Sequence, residues 1–253
     1  MNTNICENQA CITGEIVSPY YLAYTTEEGQ CYKVLVRVPR LSGTDDVIPV
    51  IVPEFCLRNT MDATGRTVSA AGTFQSRNYY ADGKTHLDLF LYADQFIFAD
   101  GQGNRKDTMD NAKTNNCIIM EGYLCKEPRY RKTPLGREIA DFLLAVNETG
   151  TRRSFYIPCI AWGRNARLMD RMHTGESVRL EGRIQSREYI KRIQGKDGTG
   201  HAEESTKHFQ GSDGYEEHRK VAYEVSCKHV YAVGQPGEEQ AVGDCQKTDG
   251  IRR

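Results

Sequence analysis

Hydrophobic residues recur at every second position along much of the chain. In SFYIPCIAW (154–162), Phe155, Ile157, Cys159 and Ala161 share one phase, and Tyr156, Pro158, Ile160 and Trp162 the other. In SVRLEGRIQSREYI (177–190), Val178, Leu180 and Ile184 set an inward phase; Arg179, Arg183, Arg187 and Tyr189, followed by Lys191, set the outward one. Successive side chains of a strand point to opposite faces, so this period, with its β-branched and aromatic residues, predicts strands. The same pattern predicts strands at CIIMEGYL (117–124), EIADFLLAVN (138–147) and KVAYEVSCKHVYAV (220–233). RNARLMDRM (164–172) is the best helical stretch: Ala166, Leu168, Met169 and Met172 form a partial apolar face, and Gly175 follows as a stop signal.

The first half of the chain repeats this order. Its runs are ACITGEIV (10–17), CYKVLVRV (31–38), VIPVIV (47–52), a short helix near EFCLRNTM (54–61), TVSAAGTFQSRNYY (67–80) and HLDLFLYADQFIF (86–98). AGTFQSRNY (71–79) returns as EGRIQSREY (181–189), GEIVSP (14–19) answers GYLCKEP (122–128), Gly29 answers Gly136, and Ile48-Pro49 answers Ile157-Pro158. A solenoid needs at least ~3 stacked repeats, so each of the two copies is expected to close on its own core. Five short strands with a helix between the third and fourth is the plan of the OB-fold, a small Greek-key barrel. The predicted fold is therefore all-β, two tandem OB-fold barrels with one short helix each. The expected boundaries are a less regular domain at 1–100, a polar linker at 101–115, a second domain at 116–233 and a disordered tail at 234–253. Within the second domain, 191–219 is expected to be a long mobile loop, too polar to pack.

Net charge is −1, which conceals a segregation that changes the picture. Residues 1–110 hold 9 Lys+Arg against 14 Asp+Glu, and residues 111–193 hold 16 against 9. A basic second copy beside an acidic first is the footprint of a polyanion binder confined to one copy. No apolar run approaches the ~20 residues of a membrane span, and the N-terminus lacks the regions of a secretory signal. The nine cysteines include no C-x-x-C pair and no zinc spacing, so free thiols in a cytoplasmic protein are expected. Three histidines in 191–219 lack partnering cysteines, and no phosphate-cradling loop or H-E-x-x-H motif occurs, so neither a cofactor nor catalysis is expected.

The candidate chemistry is stacking and phosphate neutralisation. Tyr156, Trp162 and Tyr189 fall on outward phases of barrel strands, where aromatics offer base platforms. Arg183, Arg187 and Lys191 accompany them, with Lys126, Arg129, Arg131, Lys132 and Arg137 in the first loop, Arg152 and Arg153 in the next, and Arg164 and Arg167 opening the helix. Each aromatic alone is more often core or subunit packing; their coincidence with the arginines favours binding.

The motifs make the resemblance specific. Residues 116–233 resemble the bacterial and phage single-stranded-DNA-binding protein family. The match lies in G-x-L-x-x-x-P-x-x-R-x-T-x-x-G (122–136), F-x-L-A-V-N (142–147), I-P-C-I-A-W-G-R-x-A (157–166) and G-x-x-V-x-L-E-G-R-I-Q-S-R-x-Y (175–189). The resemblance implies weakly sequence-dependent binding of single-stranded DNA in replication, recombination or repair, with nucleoid association. It places the stacking aromatics on Tyr156, Trp162 and Tyr189, with a fourth position falling near Gly150. Four OB domains per assembly are usual in the family, which implies a homodimer. The first copy is a degenerate relative: Pro53 stands where Trp162 is, Val47 where Tyr156 is, and Arg77, Tyr79 and Tyr80 are its possible secondary DNA-binding residues. The family's acidic, Phe-ended tail for recruiting replication and repair proteins is not matched by Asp249-Gly250-Ile251-Arg252-Arg253. The alternative reading is an OB-fold interaction module in a replication assembly.

Overall fold

The computed structural model describes residues 7–57, 63–81, 83–99, 115–148, 150–194 and 215–233, without the side chains of 191–194 and 215–218. In the first copy the strands are β1 (Asn8–Ile16), β2 (Tyr21–Thr26), β3 (Gly29–Pro39), β4 (Asp45–Pro53), β5 (Thr67–Ala81) and β6 (Lys84–Phe98). In the second they are β7 (Asn116–Leu124), β8 (Arg129–Lys132), β9 (Glu138–Asn147), β10 (Ser154–Trp162), β11 (Ser177–Gln194) and β12 (Tyr215–Val233), with helix α1 (Arg164–Met169) after β10. Each copy closes into a barrel. β1 reaches β3 through Glu15↔Arg37, and β4 runs parallel to β6 through Val50↔Leu91. β7 reaches β9 through Tyr123↔Ala145, and β10 runs parallel to β12 through Cys159↔Val225. Closure of this kind leaves few sheet edges open to foreign strands.

Four details depart from the sequence reading. β2 (YLAYTT) and β8 (RYRK) were not expected as strands, because neither carries an alternating apolar phase; they pair on one side only, at the two ends of the sheet. The first copy's helix is a three-residue 3-10 turn at Glu54–Cys56, and the rest of its expected span, 58–61, lies outside the described residues. α1 stops at Met169 although Met172 is also buried, so the apolar face outlasts the helix. Pairing of β11 with β12 runs on from Ile190↔Arg219 to Gln194↔Tyr215, so the expected loop yields nine residues, 191–194 and 215–219, to a two-stranded ribbon. A ladder is held by backbone bonds, which polar side chains do not prevent. The rest of that loop (195–214), the linker (101–114) and the tail (234–253) lie outside the described residues.

The barrels are joined edge to edge. β1 pairs antiparallel with β7, which makes one continuous twelve-stranded sheet. Ala10 pairs with Ile118, its own counterpart in the repeat, so a pseudo-twofold axis passes between them. The duplication extends to side chains. The Asn8 amide donates to Phe74 O (2.9 Å) and accepts from Phe74 N–H (3.1 Å); Asn116 makes the same two bonds to Ile184 (2.7 and 2.9 Å). Ile12, Val36, Phe74 and Leu91 of one barrel and Met120, Leu144, Ile157 and Ile184 of the other belong to one unbroken apolar core.

The repeated glycines Gly72 and Gly182 sit at the bulges of β5 and β11. A Cβ at either would collide with a facing carbonyl, Tyr92 O or Ser226 O. Gly182→Ala is therefore expected to destabilise the protein by more than about 2 kcal/mol in urea unfolding. A loss under half that value would contradict the tight approach.

Candidate nucleic-acid interface

On β10 the alternation read from the sequence holds. Phe155, Ile157, Cys159 and Ala161 are buried in the core, while Tyr156 and Trp162 are 45% and 38% exposed. Cross-strand partners share a face, so the register defines what surrounds these rings. Trp162 lies opposite Ile139, which lies opposite Arg131. Ile160 lies opposite Asp141, which lies opposite Arg129. Tyr156 lies opposite Ala145, and Pro158 opposite Leu143. Ile139 and Ile160 are buried yet stand apart from the central core, beneath the outer side chains. The result is a sheet face with an apolar floor, aromatic rings along β10 and arginines on the β8 edge.

The basic residues divide into three groups. Arg129, Lys132, Arg137, Arg152, Arg164 and Arg187 are exposed. Others are partly neutralised: Arg131 donates to Asp141 (2.8 Å), Arg167 to Glu138 (3.0 Å), and Arg153 lies 3.9 Å from Glu148 and over the Phe155 ring at 5.7 Å. The third group, Arg183 and Arg179, turns toward the first barrel and keeps 36% and 40% side-chain exposure. Arg183 donates to Asp46 of the first barrel (3.0 Å) and to Gln185 (3.1 Å), and Arg179 pairs with Glu7. Burial pulls the Arg183 guanidinium below its usual range. Periodicity correctly placed the arginines of β11 outward, but outward on that strand means toward the other barrel until Arg187. Tyr189 is 40% exposed, opposite Lys220 on the ribbon. Lys191 is paired to His218 through its backbone, and its side chain lies outside the described residues.

Asp46 was missed by the sequence reading. Its carboxylate is almost wholly buried between the barrels, where it accepts from Arg40 Nε (2.7 Å), Arg183 Nη1 and the Ser186 N–H (2.7 Å). The hydrogen bond that Arg40 donates to Asp46 raises the Arg40 pKa. Ser186 Oγ in turn accepts from the Val47 N–H (3.0 Å), and its counterpart Ser76 accepts from the Tyr156 N–H (2.7 Å). The serine of the repeated QSR motif thus clamps each barrel to the other, fixing the backbone under Tyr156.

The corresponding face of the first barrel is filled. Its row is Pro53–Cys31–Tyr24, where the second barrel has Trp162–Ile139–Arg131. Cys31, Ile51 and Phe90 form a small separate apolar cluster covered by Ala23, Tyr24 and Tyr92. The positions of Phe90 and Tyr92 are Glu224 and Ser226 in the second barrel, as their pairing with Gln75 and Gln185 on one side and Ile51 and Ile160 on the other shows. Burial pushes the Tyr92 hydroxyl up to about 12. Of the secondary candidates, Arg77 lies over the Tyr24 ring (4.8 Å) and Tyr79 stacks on His86 (5.2 Å), while Tyr80 is exposed.

Among the described residues, no three His, Cys, Asp or Glu are grouped to hold a metal, and no helix is long and apolar enough to cross a membrane.

Comparison with known proteins bears out the resemblance. Residues 115–208 match the single-strand binding protein family. Single-stranded DNA-binding protein 1 of Staphylococcus aureus (strain COL) is 38% identical over 80 residues, 29% of this chain and 48% of that protein. Single-stranded DNA-binding protein A of Bacillus subtilis (strain 168) is 36% identical over 80 residues, 29% and 46% of the two chains. The chain thus spans about half the length of the curated relatives it matches. The solved single-stranded DNA binding protein from Thermus aquaticus shares the fold over 93% of this chain and 97% of its own, with a TM-score of 0.64 and 17% identity. That coverage extends the OB-fold assignment to both barrels.

Proposed function

We propose that this chain is a non-enzymatic single-stranded-DNA-binding protein whose second barrel, the part matching the single-strand binding protein family, holds the strand. The carrying observation is the contrast between the two faces: open, aromatic and arginine-edged on β8–β9–β10, closed by Tyr24, Phe90 and Tyr92 on the first barrel. Bases stack on Tyr156, Trp162 and Tyr189, and Arg129, Arg131, Lys132 and Arg137 meet phosphates along the β8 edge. Arg152, Arg153, Arg164, Arg187 and Lys191 extend the basic track. Stacking accepts any base and phosphates carry no sequence information, so recognition is weakly sequence-dependent. Arg183 contributes indirectly, by holding the barrels together through Asp46.

In this reading the first barrel, residues 1–100, is a scaffold that braces the binding barrel, residues 116–233. Two chains associate into a four-barrel homodimer, a point that light scattering of the purified protein decides. The role served is coating of single strands during replication, recombination or repair.

A salt titration tests the phosphate part. Neutralised phosphates release counterions, so affinity for oligo-dT should fall steeply with salt. Replacing Arg129, Arg131 and Lys132 by Ala should flatten the log–log slope by about 0.7 for each phosphate left without its cation. A slope unchanged from the parent would remove the β8 edge from the interface.

A further inference from the structure

The pairing of β1 with β7 sets Cys11 directly opposite Cys117. On either side of them, the Thr13 N–H donates to Asn115 O (2.7 Å) and the Glu121 N–H to Glu7 O (2.8 Å). Hydrogen-bonded pairs alternate along an antiparallel ladder, so the two cysteines are themselves such a pair, with Cα atoms about 5.5 Å apart. A disulfide spans about 4.4–6.8 Å between Cα atoms, which this pair meets, and about 3.5–4.5 Å between Cβ atoms, so bridging must draw the two Cβ atoms in from the roughly 5 Å of a hydrogen-bonded pair. The thiols interact, and each is the chief cause of the other's shift: Cys11 is held down to about 6 and Cys117 is pushed up. Both are free, Cys11 half-buried and Cys117 exposed, and both line an open cavity of about 1110 Å³. Neither belongs to the repeat, in which Cys11 answers Ile119 and Cys117 answers Gln9. The pair exists only where the two barrels meet.

Cys159 and Cys227 supply a contrast. Their thiols also interact, but both are buried in the core, beyond reach of a solution oxidant.

We propose that Cys11 and Cys117 form a reversible redox site, oxidised by a low-molecular-weight disulfide to a bond that staples the two barrels across the β1–β7 ladder. The Cys11 thiolate attacks one sulfur of the oxidant, forming a mixed disulfide and releasing one thiolate. Cys117, after losing its proton to solvent, attacks Cys11 Sγ and displaces the second. Two electrons pass from the cysteines to the oxidant, which leaves as two thiols.

The test treats the folded full chain with oxidised glutathione, then alkylates remaining thiols and maps peptides by mass spectrometry. The expected product is a Cys11–Cys117 linked peptide and a chain lighter by two hydrogens. Its thermal unfolding midpoint should rise by several degrees, and dithiothreitol should reverse the rise. Cys11→Ser and Cys117→Ser should each abolish the bridge. Should either variant misfold, blocking the wild-type thiols with iodoacetamide beforehand must prevent bridging instead. A stable glutathione adduct without a bridge, a bridge at Cys159–Cys227 alone, or no reaction would overturn the proposal.

Discussion

Replacing Tyr156, Trp162 and Tyr189 by Ala in the full chain should all but abolish binding of oligo-dT, whereas replacing Arg77, Tyr79 and Tyr80 should change it little. Each stacked base contributes about 1–3 kcal/mol, so Trp162→Ala alone should weaken affinity about 5- to 150-fold. Trp162 and Tyr156 are half-exposed side chains over an apolar floor, so their truncation removes a platform without opening the core. The first-barrel residues are different in kind: Arg77 and Tyr79 already have ring partners, and the sheet face near them is occupied by Tyr24 and Tyr92. Binding by fluorescence anisotropy of a labelled oligonucleotide separates the two sets. Equal losses would mean that the filled face opens to admit DNA. Isolated halves would be a poorer test, because Ile12 and Met120 lie in one shared core and the barrels are joined by the β1–β7 ladder and the Asp46 junction.

Asp46→Ala should cost about 2–4 kcal/mol in urea unfolding, among the largest effects available to a single side chain outside the core. The substitution strands the Arg40 and Arg183 guanidinium groups and the Ser186 N–H at a junction where the Asp46 side chain is 1% exposed. Arg40 and Arg183 keep 20% and 36% exposure, so water offsets part of the loss. Oligo-dT affinity should fall with it, since Ser186 and Ser76 set the junction under Tyr156. A change below about 0.5 kcal/mol would show that the barrels do not depend on this pairing.

Much of this architecture was legible because it rests on period-two alternation, which a buried face enforces. The inward phase of β10 and β11 and the outward position of Tyr156, Trp162 and Tyr189 follow from that constraint, and the two-barrel plan from the internal repeat of AGTFQSRNY as EGRIQSREY. What was hidden depends on partners distant in sequence. Asp46 sits in TDDVIP, which reads as a charged turn; only the approach of β11 from the other barrel buries it. Arg183 belongs to an outward ladder of arginines, but alternation fixes the face of a strand and not what that face meets. The short strands β2 and β8 carry no alternating apolar phase to betray them. The filled face was half visible: Pro53 and Val47 signalled lost platforms, whereas the covering by Ala23, Tyr24 and Tyr92 appears only once strand register aligns Tyr24 with Arg131 and Tyr92 with Ser226.

The most direct measurement uses the chain's single tryptophan. Trp162 fluorescence should be quenched saturably as oligo-dT is added to the chain. The midpoint should move to higher oligonucleotide concentration as salt is raised, and duplex DNA of the same length should have little effect. Unchanged Trp162 emission at concentrations where the oligonucleotide is demonstrably bound would place the strand elsewhere and contradict the assignment of the β8–β9–β10 face.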